Sequence, residues 1–452
     1  MTRVLVGVLV ALVLVAAPAA AGPNLVVGVA EDAVVNPDAG TSSSQFGLAT
    51  ALGMRAVRIT APWSPGQTAP DPARLPAYTT AAQQAALLGV RLYLEVYPAS
   101  AAAVPLDDAA RGQFTAYLRS LALALPQVKD FVVGTQVNNL AFWPQDAKSA
   151  AAYLALLAAS YDTLKGVDPS IQVIAASLSS QGTPGTWVLT LGQLYRKSGR
   201  TTPVMDALAI QPQNDNAAQP PSFVHPTGPI DIGDYARLVA NLKRAFDKTA
   251  QPGATLPIVY DGYGVQSLVP AAKAPLYTGA ETDAVDEATQ GADYVQALRL
   301  AACQPNVAAL LFQHTVDETD LGGLQTGLYY PDRTQKSDAG AVQSAIAGLG
   351  AVTCGGSPAP QPGRAVLQLT IDQATATIGC DRPCYYVAVL EDDRGVPLRA
   401  RQGALAAGPA APVAVPTSGL PAGSYSLSVH LVPRVDPSQG VVQDGDAFQL
   451  AG

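Results

Sequence analysis

Eight short runs of β-branched and apolar residues recur between residues 25 and 313, each followed by an alanine-rich stretch of helical character. A sequence that alternates strand and helix in this way builds βα units on a parallel sheet. Eight units are the number that closes such a sheet on itself, so the expected fold is α/β, a (β/α)8 TIM barrel. The strand candidates are Leu25 to Glu31, Ala56 to Thr60, Arg91 to Tyr97, Phe131 to Gln136, Gln172 to Ser177, Ala207 to Gln211, Ile258 to Asp261 and Val307 to Gln313. Helix candidates include Ala109 to Ala124, Ser149 to Lys165, Asp234 to Lys248 and Ala292 to Ala302, with apolar residues at three- and four-residue intervals.

The texture changes after Cys354. Residues 355–363 read Gly-Gly-Ser-Pro-Ala-Pro-Gln-Pro-Gly, which sustains neither helix nor central strand and is read as a linker. Beyond it, Ala365 to Ile371, Tyr385 to Leu390 and Tyr425 to Leu431 are strand-like, and residues 364–452 are expected to form a small all-β sandwich of immunoglobulin or fibronectin style. At the other end, Thr2-Arg3 precedes an apolar run from Val4 to Val15 and a small-residue close at Ala19-Ala20-Ala21. That is the pattern of a secretory signal peptide over residues 1–21, too short to span a bilayer, and it leaves residues 22–354 for the barrel of a secreted, extracellular protein without a membrane span.

An exported chain makes disulfides the expected state of its four cysteines. Pairing of near neighbours, Cys303 with Cys354 and Cys380 with Cys384, is the preferred of the three formal connectivities. The net charge of −8 opposes a nucleic-acid partner, since phosphate recognition demands a basic surface. There is no Gly-x-Ser-x-Gly elbow, no Gly-x-Gly-x-x-Gly after a strand and no phosphate-binding loop, so a serine hydrolase or cofactor enzyme has little support. No cofactor is expected. With only His225, His314 and His430 present, no histidine and carboxylate metal cluster is visible in the order of residues, and no metal is expected either.

In a barrel of this kind chemistry gathers at the C-terminal ends of the strands. The fourth run closes in Gly134-Thr135-Gln136-Val137-Asn138-Asn139-Leu140-Ala141-Phe142-Trp143, the sixth in Ile210-Gln211-Pro212-Gln213, the seventh in Tyr260-Asp261-Gly262-Tyr263-Gly264-Val265, and the eighth in Phe312-Gln313-His314-Thr315-Val316-Asp317-Glu318. This arrangement resembles secreted bacterial barrels of glycoside hydrolase clan A, of the family 39 or family 5 type, over roughly residues 24–350. There the fourth strand typically ends Gly-Asn-Glu-Pro-Asn-Leu before Phe-Trp, the sixth ends His-Pro-Tyr, and the seventh carries Glu-Phe-Gly-Val or Glu-Tyr-Gly-Val. Gly134, Asn138, Phe142 and Trp143 hold the first frame, which puts Gln136 where the resemblance implies the acid/base glutamate. Tyr263-Gly264-Val265 holds the other and puts Gly262 where it implies the nucleophile.

Retaining hydrolysis needs two opposed carboxyl groups about 5 Å apart. Glutamine has no titratable proton and glycine has no side chain, so neither catalytic position is intact. The expectation is a glycosidase-like barrel that no longer cuts and instead binds a polysaccharide or oligosaccharide, or serves as an envelope scaffold. The residues expected to line its cleft are Arg58, Trp63, Asn138, Phe142, Trp143, Gln211, Tyr263, Gln313, His314 and Asp317, with Arg58 in the orienting role that the resemblance implies. Two rivals stand. One is an active glycosidase using relocated carboxylates such as Glu95, Asp261 or Asp317; Asp261 is expected to point opposite to Gly262 by strand alternation. The other is a purely structural protein. Glu31-Asp32 and Asp317-Glu318 also read as loop-fixing features. Which sugar is bound, and the oligomeric state, stay open.

Overall fold

The computed structural model describes residues 25–146, 148–225, 227–281, 283–352, 354, 367–380, 383–433, 441–445 and 447–451. The proposed signal peptide and linker lie outside the described residues.

Eight parallel strands close into a barrel in chain order: β1 (Val26–Ala30), β2 (Ala56–Trp63), β3 (Arg91–Pro98), β4 (Asp130–Val133), β5 (Gln172–Ser179), β6 (Ala207–Gln211), β7 (Ile258–Tyr263) and β8 (Val307–Gln313), with β8 pairing back onto β1. Eight helices form the outer ring: α1 (Ala39–Ala51), α2 (Leu75–Leu88), α3 (Asp108–Ala124), α4 (Ser149–Val167), α5 (Pro184–Ser198), α6 (Tyr235–Phe246), α7 (Glu287–Ala302) and α8 (Ala339–Ala347). Every strand is there as expected, β2, β5 and β7 running further and β4 stopping earlier. Side-chain carboxylates start three helices: Asp38, Asp107 and Asp286 accept from the backbone N–H of Thr41, Ala110 and Thr289, each at 2.7 Å.

Strand alternation splits the core in two. Odd-parity residues of β2 such as Val57, Ile59, Ala61 and Trp63 join the large cluster under the helices, whereas Ala56, Tyr93, Val132, Ala209, Val259 and Leu311 belong to a separate cluster that fills the lumen. Strand β1 reaches β2 so closely that a Cβ on Gly28 would lie 2.3 Å from the Ala56 carbonyl oxygen. Only glycine fits there.

The C-terminal part folds as two antiparallel sheets. One is three-stranded, in the order β13 (Gly408–Ala414), β10 (Thr375–Cys380), β9 (Leu367–Asp372). The other runs β12 (Pro397–Leu405), β11 (Cys384–Asp392), β14 (Gly423–Pro433), β15 (Val441–Asp444), with β16 (Phe448–Leu450) also on β14. Tyr425, Leu427, Val429 and Leu431 of β14 face the sandwich core. The alternate residues Ser426, Ser428 and His430 are buried too, because that back face is docked on the barrel. Arg244 of α6 donates to Ser426 Oγ at 3.0 Å and stands 3.6 Å from Glu391 Oε2, and a Cβ on Gly395 would touch Leu189 of α5. The disulfides pair Cys303 with Cys354 and Cys380 with Cys384.

His430 sits at this junction, 2% exposed, with neither ring nitrogen hydrogen-bonded. Burial pushes its pKa down to about 4, Arg237 and His225 add to that, and Asp234 opposes it. The folded chain therefore keeps a neutral imidazole at pH values where the unfolded chain takes up a proton. Stability from this group is complete above pH 6.5 and is lost as the pH falls toward 4. His430→Leu is expected to match wild type in urea unfolding at pH 7 and to exceed it by about 2 kcal/mol at pH 5, since each pKa unit is worth about 1.4 kcal/mol. An unchanged difference at the two pH values contradicts the assignment.

Candidate functional site

The C-terminal mouth of the barrel is organised by how the chain leaves β4. Gly134 turns with φ +89°, where a side chain would collide with Val137 and Tyr153, and its N–H donates to the Val96 carbonyl at 2.8 Å. Gln136 follows with φ +39° and its own N–H on the Ser177 carbonyl at 2.7 Å. These two backbone anchors hold the Gln136 amide at the mouth. Its Nε2 donates to Gln211 Oε1 at 2.8 Å, its Oε1 accepts from Asn139 Nδ2 at 2.8 Å, and Gln211 Nε2 passes the chain on to Ser177 Oγ at 2.9 Å. Across the mouth, a Cβ on Gly262 would meet Gln313 Nε2 at 3.4 Å and Gln211 Cγ at 3.6 Å. The position expected of a nucleophile thus opens between two glutamine side chains, and the position expected of the acid/base, Gln136, carries a neutral amide.

One layer deeper lie three charges. Arg58, one inward step above Ala56, pairs with both Glu95 Oε2 and Asp261 Oδ1, the latter at 3.0 Å, in contacts that are electrostatic more than well-angled hydrogen bonds. Glu95 is 1% exposed and Asp261 fully buried. Burial pushes the Asp261 carboxyl above its ordinary range, against the pull of Arg58. A carboxylate held this way is a brace inside the lumen. Asp261 is expected on the side away from the site; the structure corrects this, because Asp261 shares the inward parity of Val259, and the register shift of the β7–β8 ladder between Tyr260 and Tyr263 brings the open side of Gly262 inward as well. Asp261 and the open side of Gly262 consequently both face inward.

The same shift turns Tyr263 outward. It is fully buried beside Tyr294 and Phe312 between strand and helix, with its hydroxyl 3.5 Å from Asn214 Nδ2, and is not a cleft residue. Three further expectations are corrected. Trp63 packs edge-on against Phe114 under the helices because it shares the outward parity of Ile59 and Ala61. Trp143 is 1% exposed, edge-on to Tyr153, with Nε1 donating to the Ser149 carbonyl at 3.2 Å. Asp317 is withdrawn behind the β8 loop, where it pairs with Lys336 at 2.9 Å and accepts from Tyr277 OH at 2.7 Å and Gly327 N at 2.9 Å.

Asn138 stays at the rim, but both ends of its amide are spent on Ser179, at 2.8 Å each, tying the β4 and β5 exits together. Phe142, Tyr97, Gln313 and His314 are half-buried, with the Phe142 and Tyr97 rings edge-on at 6.4 Å and His314 Nε2 3.6 Å from Glu318 Oε1. Glu31 and Asp32 fix loops: Glu31 accepts from Thr315 N at 3.0 Å, and Asp32 from the N–H and hydroxyl of Thr60 at 2.7 Å each.

Two features went unread in the sequence. A polar cleft of about 240 Å³ runs off the mouth past Gln213, Asn214, Asp215, Gln266, Gln313 and Thr326. Behind its wall, the chain between β6 and α6 gathers His225, Asp231 and Asp234 with ligand atoms within 4.8 Å of one another, correcting the expectation that no histidine and carboxylate cluster exists. Their separations in sequence follow no ligand spacing, and nothing else in the order of residues announces the cluster.

No family model and no curated protein matches this sequence. Solved structures do. A glucosidase from Croceicoccus marinus aligns with a TM-score of 0.53 and 13% identity over 88% of this chain and 94% of its own. A GH39 enzyme from Xanthomonas axonopodis pv. citri aligns with a TM-score of 0.49 and 13% identity, covering 89% of this chain and 93% of its own. A calcium-binding mutant of β-glucuronidase 2 from Bacteroides uniformis aligns at 0.48 and 13%; 96% of this chain is covered, but it spans only 45% of that protein's length. At such identities the likeness concerns the fold: a TIM barrel followed by a β-sandwich.

Proposed function

We propose that this chain is an exported barrel that binds an oligosaccharide at the C-terminal mouth without hydrolysing it. The observation that carries the reading is the amide chain through Asn139, Gln136, Gln211 and Ser177 opposite a side-chain-free Gly262. Retaining cleavage needs one carboxyl to donate a proton and another to attack the anomeric carbon. Here Glu95 and Asp261 are buried and share the single cation Arg58 below the mouth. Amides are well suited to sugar hydroxyls, since each offers a donor and an acceptor. The half-buried Tyr97 and Phe142 add apolar ring surface at the rim. The cleft of about 240 Å³ is smaller than the ~300–1,000 Å³ of pockets that swallow a drug-sized ligand, so it suits one ring of a longer chain. The glucosidase of like fold supports the carbohydrate class.

A glycan array followed by calorimetry tests this. Wild type is expected to bind at least one glycan class, with roughly fivefold weaker affinity in Gln136→Leu and in Tyr97→Ala at a temperature where each variant is folded, since each removes about 1 kcal/mol of contact. Aryl glycosides are expected to stay intact. Turnover that vanishes in Glu95→Gln overturns the non-hydrolytic reading, and binding untouched by both substitutions removes the mouth as the site.

A further inference from the structure

The chain between β6 and α6 holds a donor set that the mouth does not use. His225 Nδ1 lies 2.8 Å from Asp234 Oδ2 and 3.6 Å from Asp231 Oδ2. His225, Asp231 and Asp234 are all buried, at 4%, 4% and 0% exposure. Asp234 is hydrogen-bonded at both oxygens, which still leaves the Oδ2 lone pair that faces His225 Nδ1 for a cation: its Oδ1 accepts from His225 N at 2.9 Å, its Oδ2 from Asp231 N at 3.0 Å, and Arg237 stands 3.2 Å away. Asp231 is not. Its Oδ1 accepts from Gln213 N at 3.1 Å, but its Oδ2 is buried without any donor. The His225 Nδ1 at 3.6 Å is already engaged by Asp234. A buried carboxylate oxygen left without a partner is an expensive arrangement, and it points into the space between the other two groups.

The remaining geometry fits a cation. The other ring nitrogen, Nε2, lies 3.2 Å from Asp215 Oδ2, and an imidazole whose far nitrogen is braced by a carboxylate is the usual state of a metal-bound histidine. Metal bonds of about 2.0–2.1 Å in tetrahedral geometry place neighbouring ligand atoms about 3.3 Å apart. The observed 2.8 and 3.6 Å bracket that separation on the two histidine edges, and all three ligand atoms lie within 4.8 Å of one another. One imidazole with two carboxylates suits a first-row divalent ion, whereas calcium prefers six or more oxygens.

We infer that His225, Asp231 and Asp234 form a binding site for a first-row divalent cation of the zinc or manganese class, which pins the segment between β6 and α6. On binding, the proton on Nδ1 leaves to solvent, the nitrogen lone pair takes the metal, and the free Asp231 oxygen gains its partner. A water completes the shell. Gln213 to Ala217, at the head of the same segment, line the cleft, and Asp215 braces the histidine from there. Occupancy therefore stiffens one wall of the cleft. The inference stands apart from the carbohydrate reading, because its readouts need no glycan.

The test uses the full chain stripped with EDTA and then given 0.1 mM Zn2+, Mn2+ or Ca2+. Wild type is expected to carry one zinc per chain in native mass spectrometry and to melt roughly 2–4 °C higher with zinc than in EDTA, with little effect of calcium. Asp231→Asn is expected to melt no lower than wild type in EDTA, since it removes the unpartnered carboxylate, and to gain neither adduct nor shift. His225→Gln serves as the second variant should Asp231→Asn not fold. Absence of a one-to-one zinc adduct on wild type, or an adduct and shift retained in both variants, overturns the inference.

Discussion

Arg58→Leu is expected to lower the unfolding free energy by about 3–5 kcal/mol, the cost of leaving buried carboxylates without their counter-ion. Among the described residues, Glu95 at 1% exposure and Asp261 fully buried have no other cation paired with them, and both point into a lumen otherwise filled by Ala56, Tyr93, Val132 and Val259. The variant protein has two poor choices: it keeps a charge in a low-dielectric space, or it takes up protons. Urea unfolding at pH 7 measures the loss. Arg58→Leu combined with Glu95→Gln and Asp261→Asn removes all three charges and is expected to recover most of the stability, a strong departure from additivity. A loss below about 1 kcal/mol for Arg58→Leu alone means that water reaches the triad and the brace is not buried in solution.

Trp143→Ala is the second large effect, and its direction separates packing from recognition. Trp143 is 1% exposed, stacked edge-on with Tyr153, and its indole N–H holds the Ser149 carbonyl at the start of α4. Truncation removes most of a large buried ring and costs about 3–5 kcal/mol. Glycan affinity of the molecules that remain folded is expected to change little, because the indole does not reach the mouth. The measurement is a denaturation curve set beside calorimetry at a temperature where the variant is folded. A stable Trp143→Ala protein with lost glycan binding places the indole in the cleft instead.

The barrel was legible because its strands are covered on both faces and so read as short apolar runs between helical stretches. The mouth was only partly legible. Gln136 and Gly262 lie where the strand ends placed them, since a chain exit is a local property. Side-chain direction is not. Trp63 carries the outward parity of Val57, Ile59 and Ala61, so alternation along β2 held enough information to keep it out of the cleft. Tyr263 defeats the same rule, because the register shift in β7 turns it out of step with Val259 and Asp261, and nothing in Asp-Gly-Tyr announces it. Asp317 sits in a turn whose burial depends on Lys336 and Tyr277, far away in the chain. The His225 cluster depends likewise on how one long connection folds over itself.

The bond between Cys303 and Cys354 joins the end of α7 to the last described residue before the sandwich, enclosing β8 and α8 in a ring. With the two cysteines 51 positions apart in sequence, such a ring restricts the unfolded chain by about 4 kcal/mol. It also sets a route for mechanical load. A pull transmitted along the chain from the C-terminal side arrives at Cys354 and is handed across the sulfurs to α7, so the final βα unit carries no tension and cannot be peeled from the barrel's seam.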